Sequence, residues 1–246
     1  MTARSLAAVA LAALALSIFG HGAAAQGLSD LSFGEGSVAG RSIQMLVLIT
    51  LISLVPALAI MFTSFPFMVT VLSILRQGLG TQQSPPNMLI VTLALFLTWY
   101  VMAPVFDTAW ANGIAPLLED RLPLDVALTE ALAPFRTFMA SRIDPSTYET
   151  LAALRPDVNA AAPISDAPLS TLVPTFLLSE LSRAFQVGFL IFLPFLIIDL
   201  VVAAVLMSMG MMMVPPAVVS LPFKLAFFVV ADGWSLIASS LVRNYF

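Results

Sequence analysis

The hydrophobic positions of this chain fall in long runs broken by short polar or proline-rich stretches. From Ser42 to Leu75 there is no charged residue, a run of 34 positions, which exceeds the roughly 20 residues that one straight membrane crossing needs. Pro56 and Pro66 lie inside it, so the run predicts a first long helix that ends or kinks near Thr63 to Pro66, then a shorter piece to Leu75. Arg76 to Asn87, RQGLGTQQSPPN, reads as a loop by its Gly, Gln and Pro content; it is either a connector or a contact surface for a partner. A second hydrophobic helix is predicted from Met88 to Phe106, with Trp99, Tyr100 and Trp110 near its exit in the manner of interfacial aromatics.

Between Asp107 and Leu169 the pattern changes. This interval holds nine of the fourteen acids and four of the ten bases, in short amphipathic pieces separated by prolines. It predicts a small extramembrane helical segment, with helices near Leu124 to Met139 and Thr147 to Leu154 and a Pro/Ala-rich linker from Pro156 to Pro168. Phe135, Phe138 and Tyr148 either pack a miniature core there or pack against a neighbouring copy; the segment is too small to be stable on its own. Two further apolar runs, predicted as helices over Ala184 to Met209 and Ala217 to Val242, meet at a turn marked by Gly210, Met211, Met212, Met213, Pro215 and Pro216. They form a helical hairpin, and Arg243 to Phe246 follow as a short tail.

Composition moves the whole chain into the membrane class. It is 60% hydrophobic and only 10% charged, with mean hydropathy +1.00, against about a quarter charged in soluble domains. A net charge of -4 with no clustered basic face argues against nucleic acid. There is no cysteine, and the single histidine is His21, so thiolate metal sites and cysteine or Ser-His nucleophiles are excluded outside that position. No Walker-type glycine loop is present, and Asp199 with Asp232 lacks a G-x-G-D context; no catalytic, cofactor or metal site is expected.

At the start, Arg4 precedes an apolar stretch from Leu6 to Phe19 and then Ala23-Ala24-Ala25, the layout of a cleavable signal peptide cut after Ala25. The resulting division is a signal peptide at 1–25, a flexible exported tail at 26–41, a first helical hairpin at 42–106, the extramembrane segment and linker at 107–169, and a second hairpin at 170–246. The fold class is an all-α membrane protein of about four long, proline-kinked helices. Four crossings after a cleaved signal would leave Arg121, Arg136, Arg142 and Arg155 outside and only Arg76 within, against the positive-inside tendency.

Within the second hairpin, Asp199 lies 13 residues before Met212 and Lys224 lies 12 after it. At about 1.5 Å per residue both sit some 18 to 20 Å from the tip, which predicts a pair at one depth. The pair is either a structural tie that fixes hairpin register or a proton-relay site. Glu180 and Arg183, at i, i+3, either pair locally or lie in a subunit contact.

The motifs Ser179-Glu180-Leu181, Gly188-Phe189, Phe192-Leu193-Pro194-Phe195, Ile198-Asp199, Met207 through Pro216 and Leu221-Pro222-Phe223-Lys224, with Ser64-Phe65-Pro66-Phe67, Leu75 through Gly80, Gln82 through Asn87 and Ala103-Pro104-Val105-Phe106 upstream, resemble the FliP family. That family forms the export gate of bacterial flagellar and injectisome secretion systems. The resemblance implies a pentamer that assembles with FliQ- and FliR-like subunits and with FlhB- and FlhA-like components to admit unfolded substrates. It implies a place in the flagellar basal body, in the inner membrane and largely on its periplasmic side, with energy from the proton motive force and an associated ATPase. Met211, Met212 and Met213 would be the methionine gasket sealing the pore, against a bland alternative of a core-facing turn. Glu180, Arg183, Phe138 and Tyr148 would be candidate subunit contacts. A proton-coupled small-solute transporter using Asp199 and Lys224 is the alternative function.

Overall fold

The computed structural model describes residues 45–46, 49–50, 53, 60–81, 84–156, 163–211 and 213–246. The signal-peptide and exported-tail expectations for 1–41 lie outside these residues. In the N-terminal unit, which ends at Val55, Met45, Leu46, Ile49, Thr50 and Ser53 are helical, and Ser53 Oγ donates to the Ile49 carbonyl at 2.7 Å.

The second unit, from Pro56 onward, is all helical among its described residues. A helical turn at Ile60–Met61 stops at residues 62–64, and α1 (Phe65–Leu79) restarts with Pro66 in its first turn, where a missing N–H costs nothing. Gly80, at φ 75°, closes its C-terminus. The helix α2 (Asn87–Ala109) follows, runs through one wide turn over Trp110–Ile114 and ends in α3 (Ala115–Leu118). Together they make a 32-residue apolar rod from Asn87 to Leu118, longer than the Met88 to Phe106 helix the sequence predicts. Pro104 does not end it, because hydrophobic packing outweighs the one lost hydrogen bond.

The charged interval forms α4 (Leu124–Arg142) and α5 (Pro145–Ala153). Asp144 caps α5: its carboxylate accepts from the Thr147 amide at 3.0 Å and from the Thr147 hydroxyl at 3.0 Å. The hydrogen bond from the Ser146 hydroxyl, and then those two from Thr147, hold its pKa below the usual carboxylate range. The core here is shared rather than self-contained: Met139, Ile143, Tyr148 and Ala152 meet Leu172 and Phe176 of the next helix. Arg136 ties the linker down by donating to the carbonyls of Ser165 and Ala167.

That next helix, α6 (Leu169–Ser208), runs for 40 residues without a break. The sequence expectation starts it at Ala184, fifteen residues late. Pro174 and Pro194 sit inside it, and in apolar helices such prolines are tolerated where neighbouring elements hold the backbone straight. Along its first turns Thr175 and Ser179 return their hydroxyls to the carbonyls four residues back, at 2.7 and 2.8 Å. At about 1.5 Å per residue α6 is some 60 Å long, twice a bilayer's hydrocarbon thickness.

The last arm departs from expectation. In place of one helix over Ala217 to Val242 there are two, α7 (Pro216–Val230) and α8 (Gly233–Arg243), bent by 63° at Ala231–Asp232. Asp232 takes φ 47°, a left-handed state that Asp tolerates better than most residues. Gly233 then packs so close to Phe228 that a Cβ would lie 2.3 Å from its ring, which leaves no room to continue straight. So, among the described residues, α2–α3 and α6 are the two single helices long and apolar enough to span a membrane, with α7–α8 as a third if the bent pair is one span.

The main core joins Phe67, Val71 and Leu75 of α1, Ala94 of α2, Ala184 and Phe195 of α6, Phe228 of α7 and Leu241 of α8. Helices α1 and α6 approach through glycine. A Cβ on Gly188 would lie 2.4 Å from Ile74 Cδ1, and one on Gly78 would lie 2.9 Å from the Phe195 ring. Small residues at such crossings let apolar helices reach van der Waals contact in lipid.

Candidate functional site: two polar clamps and a methionine loop

Helix α6 ends in a Schellman closure. With Gly210 at φ 76°, its amide donates to the Met207 carbonyl at 3.1 Å and the Met211 amide to Leu206 at 3.0 Å, so the last carbonyls are satisfied as the chain reverses. Pro215 and Pro216 start α7 at once. Between them Met213 stands 98% exposed and Met211 less so; Met212 lies outside the described residues. The loop carries no charge, and its unbranched thioethers are deformable apolar groups.

Below the loop, Lys224 Nζ lies 2.6 Å from Asp199 Oδ2 and donates to the Gly78 carbonyl at 3.1 Å. Ser220 Oγ donates to the other oxygen, Asp199 Oδ1, at 2.6 Å. The structure thus brings Asp199 and Lys224 together and adds two members that the spacing argument omitted. Ser220 stands four residues before Lys224 on the same face of α7, a signal present in the sequence; Gly78 had none. Three elements meet here: the C-terminal end of α1, where carbonyls carry partial negative charge and a cation is favoured, the last third of α6, and α7. The Lys224 side chain is 6% exposed and the Asp199 side chain 33%, so one face of the carboxylate reaches the surface.

A second clamp lies 19 residues earlier on α6. Glu180 is fully buried; Arg142 Nε of α4 donates to its Oε1 at 2.9 Å, and the Tyr245 hydroxyl donates to its Oε2. Arg183 Nη1 is more distant, 4.0 Å from Oε1. Arg142 also donates to the Asn244 carbonyl at 2.8 Å and lays its guanidinium 4.1 Å from the Tyr245 ring centre. Burial first, and then the charge of Glu180, push the Tyr245 hydroxyl far up, which keeps it a donor. Of the four residues expected as subunit contacts, Glu180 and Tyr148 are buried in their own chain, Phe138 is half-buried and Arg183 lies at the edge of the Glu180 clamp. Arg142 and Tyr245 carried no sequence signal: Arg142 lies 38 residues from Glu180 and Tyr245 lies 65, and no periodicity links them. Among the described residues there is no group of three or more metal-ligating side chains.

Apolar helices of membrane-crossing length, tied to one another by buried charges and joined by an uncharged methionine loop, define a helical membrane protein. The chain matches the family model described as "FliP family" over residues 48–241. It is 48% identical over 238 residues to the flagellar biosynthetic protein FliP of Caulobacter vibrioides, covering 96% of this chain and 88% of that one. The protein of the same name from Bacillus subtilis is 45% identical, with 83% and 92% covered, and that from Aquifex aeolicus 41%, with 88% and 90% covered. The chain belongs to the FliP family.

Proposed function

We propose that this protein is a subunit of the flagellar protein-export gate, a bacterial inner-membrane pore that admits unfolded export substrates. Family membership over most of the chain, with relatives named as flagellar biosynthetic proteins, carries this reading. In it, several copies, five by the family resemblance, assemble with FliQ- and FliR-like subunits and receive substrates through FlhB- and FlhA-like components, much of the complex lying on the periplasmic side. The chain itself hydrolyses nothing. Met211, Met212 and Met213 from each copy form a deformable ring across the pore, which excludes ions yet yields to chains of any sequence because it asks for no specific hydrogen bond. The exposure of Met213 at an uncharged tip supports that role.

Alanine at Met211, Met212 and Met213 together, introduced in the native cell, tests it. The expected result is ion leakage and slowed growth with export retained. Unchanged permeability in a complex that assembles to normal amounts would remove the methionines from the seal.

A further inference from the structure

The residues after α8 do not trail away from the molecule. Asn244 and Tyr245 fold back so that the Tyr245 ring stands edge-on to Phe67 of α1 at 5.5 Å and stacks on Phe138 of α4 at 6.0 Å between centres. Its hydroxyl reaches Glu180 of α6, while Arg142 of α4 holds both that carboxylate and the Asn244 carbonyl. A carboxylate removed from water needs a partner on each oxygen, or its desolvation outweighs what it gains. Here each oxygen of Glu180 has one, Arg142 on Oε1 and Tyr245 on Oε2. The acid is therefore satisfied inside its own chain.

From this geometry we infer that Tyr245 is a positioning residue, a strap that fastens the charged helix α4 and the end of α8 onto α6 at Glu180. The point of attachment matters because α6 carries a second one at Asp199, 19 residues or about 28 Å further along the helix. Between the two, α7 and α8 form a bent strut, held at one end by Lys224 on Asp199 and at the other by Tyr245 on Glu180. The 63° elbow is packed into the main core through Phe228, Ile237 and Leu241, and the two polar ties fix the arms on either side of it. With the strap closed, the arm that leads back from the methionine loop has one span and one register against α6. A tyrosine suits the position because its neutral donor adds no second buried charge and its ring fills the space between Phe67 and Phe138. The strap follows from the geometry alone, whereas its consequence for the pore rests on the export-gate reading.

The absence of cysteine gives a clean test in the full chain within its assembled complex. Phe138→Cys with Tyr245→Cys, treated with a short bismaleimide, is expected to give a linked single chain of altered mobility on a denaturing gel. Cross-linking is expected to restore at least half of the export that the unlinked double variant loses, since a covalent tie replaces the strap. Dimers or a ladder would assign the contact to neighbouring copies and overturn the inference, as would the absence of any link. Linkage without restored export would overturn the positioning role. Tyr245→Phe keeps the ring and removes only the donor: about a tenfold to hundredfold loss of assembled complex is expected, the scale of one hydrogen bond to a charged group. Combined with Glu180→Gln it should do no more harm than the worse single change, and additive losses would overturn the bond. If the cross-link forms within one chain while the methionine substitutions cause no leak, the strap stands and the gate reading falls.

Discussion

Lys224 ties its own helix to two others with one ammonium group, and that makes its removal asymmetric. Lys224→Met would leave Asp199 with Ser220 alone and would uncover the Gly78 carbonyl at the end of α1. Breaking a buried pair from one side costs on the order of 3 to 5 kcal/mol; the lower end applies, because a third of the Asp199 side chain reaches the surface and water can replace part of what is lost. Lys224→Met with Asp199→Leu strands no charge and should recover much of the stability, which thermal unfolding of the extracted complex would measure. If the double variant is as damaged as the single one, the charges do more than tie helices, and a proton-handling role returns. Counting residues outward from the loop sufficed to place this pair, because a helix advances by a fixed rise and both arms start from one turn. The same count could not reach Gly78, which comes from a helix 146 residues away in the chain.

At the scale of elements, the turns were more legible than the helix ends. Gly210 and Pro215-Pro216 announce a reversal by backbone chemistry, and the reversal is there. The start of α6 was not legible: the expected helix begins at Ala184, whereas α6 begins at Leu169 and runs through Pro174 and Pro194, packed against α1. The elbow at Asp232 misled the other way: nothing apolar is missing from Ala217 to Val242, and the break comes from a left-handed residue followed by a glycine pressed against Phe228. That origin yields a prediction. Asp232→Gly should be neutral or slightly stabilising, because glycine enters the left-handed state freely, whereas Asp232→Val should cost about 1 to 2 kcal/mol by forcing a β-branched residue there. The thermal midpoint of the extracted complex for the two variants would rank them; equal losses would mean that the carboxylate, not the backbone, makes the elbow.

For the second unit as a whole, an all-helical membrane fold was readable from run lengths and low charge, but which faces meet was not. Runs that are apolar all round carry no stripe to say which side faces a partner. Helix α6 poses this most sharply. At about 60 Å it is too long for one straight crossing, and one side of its apolar half presents Phe185, Phe189, Leu190, Ile197, Leu200 and Val201. In lipid such a face needs no cover, whereas in a ring that stands above the bilayer it must be covered by neighbouring subunits, since a contiguous apolar patch in water favours association. Single cysteines at Leu181 and Ile197 can decide it, both positions being exposed in the single chain and no native cysteine competing. In the assembled, membrane-bound complex, the ring predicts that Ile197→Cys resists both a water-borne maleimide and a photolabel carried on a lipid chain, and that it gains lipid labelling when assembly is blocked. Leu181→Cys, beside the charged segment, should react with the maleimide. Strong lipid labelling of Ile197→Cys in the assembled complex would instead make α6 an ordinary span and leave its apolar face to the bilayer.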